Sequence, residues 1–219
     1  MRVLLLLGIA LMLVGVAWAL LAAPTELFQG APQRIMYMHV PSVVTAYVAL
    51  MAVFAGSVLF LWRRDPRWDR LARSAAELGV LFISMTLLSG AIWGKAVWGT
   101  WWTWDARLTT TLILWFIYIG YLMVRAWAPG VRGARAAAII GIVGVLDIPI
   151  IHWSAILLRT LHPQPTIFRP AGPAVPPAML VPLVINMVAF LVVFAALLVL
   201  RVRQERTLDA LAEALEEGA

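Results

Sequence analysis

Residues 178–200 read AMLVPLVINMVAFLVVFAALLVL, a run without a single charged side chain. At the rise of an α-helix such a run crosses the roughly 30 Å hydrocarbon core of a bilayer. Working outward from it, comparable apolar stretches recur at about 3–22, 41–62, 76–93, 108–127 and 136–152. The whole chain is 63% hydrophobic and only 13% charged, with a mean hydropathy of +0.92, a balance that a soluble domain of 219 residues does not tolerate. The connectors are short or irregular and leave no room for a soluble domain. The expected fold is an all-α membrane protein: one integral membrane domain over 1–219, built as a bundle of six transmembrane helices.

The basic residues orient the bundle. With both termini inside, the inner segments hold Arg2, the cluster Arg63, Arg64, Arg67, Arg70 and Arg73, then Arg125, Arg132 and Arg135, and finally Arg201, Arg203 and Arg206. The outer side keeps Arg34, Lys95, Arg107, Arg159 and Arg169. The net charge of +6 therefore reflects topology and gives no reason to expect nucleic acid as a partner. Arg2, the first apolar run and Ala22-Ala23-Pro24 have the outline of a cleavable signal peptide. The run is longer than a signal core, and its removal leaves an odd number of spans, so retention is expected.

The connectors carry the chemistry. Between the third and fourth spans lies Trp98-Gly99-Thr100-Trp101-Trp102-Thr103-Trp104-Asp105-Ala106-Arg107. Indole is apolar yet carries an N–H that wants a partner, which suits it to the lipid–water boundary. Concentrated in one outer loop, four indoles form a flat platform for a flat ligand; scattered, they serve as anchors. The inner connector Arg63–Arg73 reads as a short polar loop. Pro41 suits the first turn of the second span and puts His39 at its outer mouth. The connector after the fifth span carries Thr160-Leu161-His162-Pro163 and then prolines at 165, 170, 173, 176 and 177, which precludes a regular helix. Beyond the last span, Leu208, Leu211 and Leu215 share a helical face beside Glu213, Glu216 and Glu217, so 203–219 reads as an amphipathic cytoplasmic tail that lies on the membrane or docks a partner.

His39, His152 and His162 all map to the outer half. Neutral imidazole is a good ligand for iron and other metals. His39 and His162 stand on different connectors and can approach a planar macrocycle from opposite faces, with tryptophans at its apolar edge and arginines at its carboxylates. A histidine at a helix mouth also serves as an ordinary polar interface residue. His152, near the intramembrane Asp147 and following Pro149, is a competing ligand candidate. The pair Asp147 and His152 reads either as a polar contact in a kinked helix or as a proton path. Pro182 and Asn186 suggest a further helix–helix contact.

Several chemistries are excluded. There are no cysteines, hence no disulfide framework, thiolate metal site or C-x-x-C-H haem attachment. Gly90-Ala91-Ile92-Trp93-Gly94-Lys95-Ala96 has the outline of a phosphate-binding loop but lacks one spacer and the Ser or Thr for Mg²⁺; its Gly90-x-x-x-Gly94 spacing suits close helix packing instead. No nucleophile–base pair stands out, so there is no hydrolase signal, and with no ATPase motif a binding role rather than an enzyme is expected.

Taken together, Trp98–Thr109, Arg34-Ile35-Met36-Tyr37-Met38-His39-Val40-Pro41 and Thr160-Leu161-His162-Pro163 resemble the tryptophan-rich "WWD" signature and flanking segments of CcmC, the haem-handling C component of cytochrome c maturation. The resemblance covers nearly the whole chain. It implies a subunit of the bacterial inner membrane that holds haem b as transient cargo at the periplasmic face. It further implies delivery to the haem chaperone CcmE, beside the ATPase CcmA and the membrane subunits CcmB and CcmD. By motif position, His39 and His162 would be the axial ligands of the haem iron. Trp93, Trp98, Trp101, Trp102, Trp104, Asp105 and Arg107 would form the platform, with Arg34 as a propionate partner. The segment after Pro163 departs from the family pattern, where polar residues often follow the histidine. Three other readings stand beside this one: a WWD-type cytochrome c synthase attaching haem directly, which generally needs more spans and histidines; a haem transporter with a path through the bundle; and a structural subunit anchored by its tryptophans.

Overall fold

The computed structural model describes residues 2–128, 130–158, 161–162, 166–167 and 169–217. Thr160, Pro163 and Pro165 of the last outer connector, with Arg159, lie outside the described residues, as do the side chains of Glu213, Glu216 and Glu217. The helices are α1 (Arg2–Leu21), α2 (Met36–Arg63), α3 (Pro66–Trp98), α4 (Ala106–Trp127), α5 (Gly130–Val145), α6 (Asp147–Leu157) and α7 (Pro177–Glu217), with a short 3₁₀ turn at Ala31–Ile35 leading into α2. They make six segments long and apolar enough to cross a membrane, α5 and α6 counting together as Gly130–Leu157. The chain is thus an all-α, multi-pass membrane protein.

Small residues set the packing. Gly56 lies against Ala72 and the Trp68 carbonyl, and Gly79 against Leu50 and Ala49, so α2 and α3 run antiparallel in close contact. Gly8 against Val193 and Gly15 against Asn186 pair α1 with α7 in the same way. Asn186 Nδ2 also donates to the Pro182 carbonyl at 2.9 Å, one turn back on its own helix. Its side chain meets the α1 backbone where Gly15 has no Cβ. Leu50, Val53, Tyr118 and Tyr121 are fully buried at the centre, where the Tyr118 hydroxyl donates to the Gly141 carbonyl of α5 at 3.0 Å.

The sequence reading needs correcting at four places. The stretch Arg67–Arg73 is not a loop: Pro66 starts α3 at once, with the Asp65 carboxylate capping the Arg67 N–H at 2.9 Å. Pro41 sits in the second turn of α2, which begins at Met36, so His39 is a helical residue rather than a loop residue. The fifth span breaks at Leu146, just ahead of Pro149, into α5 and α6. The segment from 203 onward is a direct continuation of α7, a helix ~60 Å long at 1.5 Å per residue. It is tied to α3 by Arg201 with Glu77, by Arg70 with Asp209 at 2.9 Å, and by Arg73 with the buried Glu205 at 2.8 Å. It therefore does not lie along a membrane surface as far as Asp209, although Leu208, Leu211 and Leu215 stay exposed.

Candidate functional site

The antiparallel register of α2 and α3 decides where His39 points. Continuing from the Gly56–Ala72 and Leu50–Gly79 contacts, it brings His39 beside Ser89 and Gly90. The imidazole Nδ1 lies 3.0 Å from Ser89 Oγ, and a Cβ on Gly90 would come within 3.0 Å of His39 Cε1. One turn further, the Trp93 ring meets the imidazole edge to face, centroids 5.7 Å apart. Trp93 is itself held by its Nε1, which donates to Gln29 Oε1 at 2.9 Å. Ser89 Oγ takes up Nδ1 and leaves the opposite ring nitrogen, Nε2, for other partners.

The second half of the site is built where α3 ends. Gly99, at φ 77°, closes the helix in a left-handed conformation, and the chain crosses to α4 without regular structure. Asp105 caps α4 by accepting the Leu108 N–H at 2.9 Å. The other carboxylate oxygen of Asp105 lies 3.5 Å from His162 Nδ1. The His162 ring packs edge to face on Trp98, centroids 5.1 Å apart. Burial holds the His162 imidazole below the ordinary histidine range; the Arg107 guanidinium adds to that effect, and Asp105 opposes it. At neutral pH the ring is therefore uncharged, the form that ligates metals. Both imidazoles thus rest on tryptophans of one helix, five residues or ~7.5 Å apart along its axis.

These side chains face one cavity of about 460 Å³, of the size that holds organic ligands. Of the residues expected from sequence, His39, His162, Trp93, Trp98, Trp101, Trp102 and Arg107 line it. Asp105 reaches it only through His162. Trp104 turns outward, 76% exposed, and meets Trp102 edge to face at 5.7 Å. Arg34 points to the Ala23 carbonyl at 3.5 Å and is not part of the lining. His152 does line the cavity, whereas Asp147 is buried beside it without joining the lining, one carboxylate oxygen lacking a hydrogen-bond partner. Gln29 and Ser89 escaped the sequence reading, which took Gly90 only as a helix-packing residue; the helical register running back from Gly56 is the signal that sets Ser89 and Gly90 beside His39. Arg107 makes no ion pair among the described residues, so its charge is free for an anionic group of a ligand.

Two imidazoles from separate elements, several indoles and a guanidinium without an ion pair among the described residues thus meet in one cavity of a six-span membrane protein. A model of the family described as CcmC, Heme exporter protein C, matches residues 1–214, and the chain belongs to this family. It is similar to Heme exporter protein C of Haemophilus influenzae, 40% identical over 200 residues that cover 91% of this chain and 81% of the relative. It is also similar to proteins of the same name from Bradyrhizobium diazoefficiens, 37% identical over 84% of this chain and 70% of the relative, and from Escherichia coli K12, 36% identical over 90% and 79%.

Proposed function

We propose that this chain binds haem in the cavity at the periplasmic end of the bundle and hands it to the chaperone CcmE, as part of a complex with CcmA, CcmB and CcmD in the bacterial inner membrane. The observation that carries this reading is the convergence of His39 and His162 on one indole-lined cavity. His39 comes from α2 and His162 from the connector between α6 and α7; each ring is backed by a tryptophan, Ser89 Oγ takes up His39 Nδ1, and His162 Nδ1 faces the Asp105 carboxylate at 3.5 Å. His39 and His162 are the axial ligands, and Arg107 meets a propionate. The orphaned Nε1–H of Trp102, buried without a hydrogen-bond partner among the described residues, fits a wall that gains its partner from cargo.

Placement at the periplasmic end rests on the arginine clusters at the opposite end of the bundle. A holding site is favoured over a path through the membrane. The cavity ends on Ala46, Ile83, Leu114 and Ile151, each at most 2% exposed, and the fully buried Leu50, Val53, Tyr118 and Tyr121 belong to the same packed cluster. The chain acts as a binding and delivery subunit, with ATP hydrolysis supplied by CcmA.

The test is an absorption spectrum of the purified protein after expression with haem supply. The wild type is expected to show a low-spin Soret band, reduced in His39→Ala and in His162→Ala and lost in the double variant, with membrane insertion retained. Equal haem content in all four proteins overturns axial ligation.

A further inference from the structure

On the outward side of the α3–α4 seam lies a second, shallower hollow of about 330 Å³, lined by Leu87, Trp102, Trp104 and Leu112. Two of these four, Leu87 and Trp102, also line the main cavity. The two spaces therefore share a wall only one side chain thick. We propose that this hollow is a lateral mouth of the cavity, through which a flat apolar ligand passes between the hydrocarbon of the bilayer and the imidazoles, with Trp102 as the moving wall. The inference rests on the reading of the cavity as a haem site only for the identity of the cargo, not for the route.

Three features carry it. First, the seam is fastened at one level and loose above it. Trp115 Nε1 donates to Ser84 Oγ at 2.8 Å and ties α4 to α3. Because α3 ends and α4 begins at the cavity end, Leu87 and Leu112 are each one turn nearer that end, and only apolar side chains meet across the hollow. Dispersion contacts there part without stranding a polar group, which a hydrogen-bonded seam does not allow. Second, Trp102 sits in the irregular connector between the helices. Thr100 Oγ1 donates to the Trp102 carbonyl at 3.0 Å and anchors its backbone, while its indole N–H is unsatisfied. Swinging the ring sacrifices no hydrogen bond of its own. Third, the hollow opens toward hydrocarbon: Leu88, Ile113, Phe116 and Trp104 around it are exposed on the outer surface of membrane-spanning helices or at their margin. An exposed tryptophan at that height belongs to the lipid–water boundary.

The chain has no cysteine, so a single introduced thiol reports cleanly. Thr111→Cys places one in the cavity wall. The protein, in phosphatidylcholine nanodiscs, is treated with pyrene maleimide, flat and lipid-partitioned, or with a sulfonated, water-soluble maleimide. Leu112 lines the hollow but not the cavity, so Leu112→Trp plugs the mouth. The plug is expected to slow the pyrene reagent about tenfold, as for a blocked gate, and to leave the sulfonated reagent unchanged. Leu112→Ala is expected to speed the pyrene reagent. Equal slowing of both reagents by Leu112→Trp, or no change with either variant, overturns the lateral mouth. In parallel, haem loading from hemin-charged vesicles is expected to slow in Leu112→Trp with an unchanged final Soret amplitude. A wild type that takes up no haem defeats the assignment of cargo, while the thiol measurement still decides the route.

Discussion

The two ends of this bundle handle polar groups in opposite ways. At the arginine-rich end, charge meets charge: Arg125 with Asp69 at 2.8 Å, Arg70 with Asp209 at 2.9 Å, and Arg73 and Arg201 both on the buried Glu205 at 2.8 and 2.7 Å. At the other end Arg107 has no carboxylate partner among the described residues, the Trp102 N–H has no acceptor, and His162 lies 3.5 Å from Asp105 without an aligned hydrogen bond. One end pairs its charges and holds helices together. The other leaves a charge and an indole N–H without partners among the described residues, which are the groups the proposed haem would meet. On the proposed reading, stability and binding lie some 30 Å apart, on opposite margins of the hydrocarbon layer.

That contrast predicts separable effects. The largest change in stability is expected from Glu205→Ala, which leaves Arg73 without its buried partner and deprives Arg201 of one of two carboxylates. A loss of about 2 kcal/mol is expected, below the roughly 3–5 kcal/mol of a fully buried pair because both arginines keep about a third of their side chains in solvent. Denaturant or thermal unfolding in detergent measures it, and the haem spectrum should not change; a lost Soret band breaks the separation. Tyr118→Phe, midway between the ends, removes the bond to the Gly141 carbonyl and is expected to cost about 1 kcal/mol, again without a spectral change.

Gly90→Ala probes the other end. Its Cβ would press on His39 Cε1 at 3.0 Å, so haem retention should fall a few-fold, as for a modestly misplaced ligand, while the unfolding midpoint stays within about 0.5 kcal/mol of wild type. A stability loss with normal retention would mean that Gly90 serves helix packing alone. The smallest effect is one of pH. His162 binds its proton more weakly than a free histidine, so with the proposed ligation acid is expected to release haem only below the ordinary histidine range. Arg107→Gln removes a charge that lowers this pKa, and the acid midpoint of haem release should move up. Asp105→Asn removes a charge that raises it, and the midpoint should move down. Titration of the Soret band, with the His162 Cε1–H resonance of the haem-free protein as control, reads both shifts. Movement in the reverse order excludes His162 as the group that controls release.

Much of this was legible in the chain. Hydropathy marks all six spans, and the arginine positions distinguish the two ends, because both depend on transfer between water and hydrocarbon, which acts residue by residue. The tryptophan-rich connector and the two histidines on separate segments likewise announce themselves. The start of α3 did not. Arg67 to Arg73 read as a loop because their charge argues against burial, yet Asp69, Glu77, Glu205 and Asp209 supply counter-charges, two of them from a helix more than a hundred residues away. The division of labour among the indoles was equally hidden. Neighbours in a loop share composition, and only the path of the backbone after Gly99 sends Trp101 and Trp102 to the cavity and Trp104 outward.

The amino-acid order alone determined that this is a six-span membrane bundle with its chemistry gathered at one end, since solvation sorts side chains by type and local spacing. Which imidazole faces which indole, where the cavity stops, and how thin its wall becomes at Trp102 were decided only by tertiary structure. Those properties follow from helix register and from close approach at Gly56, Gly79 and Gly90, contacts between residues that the chain itself keeps far apart.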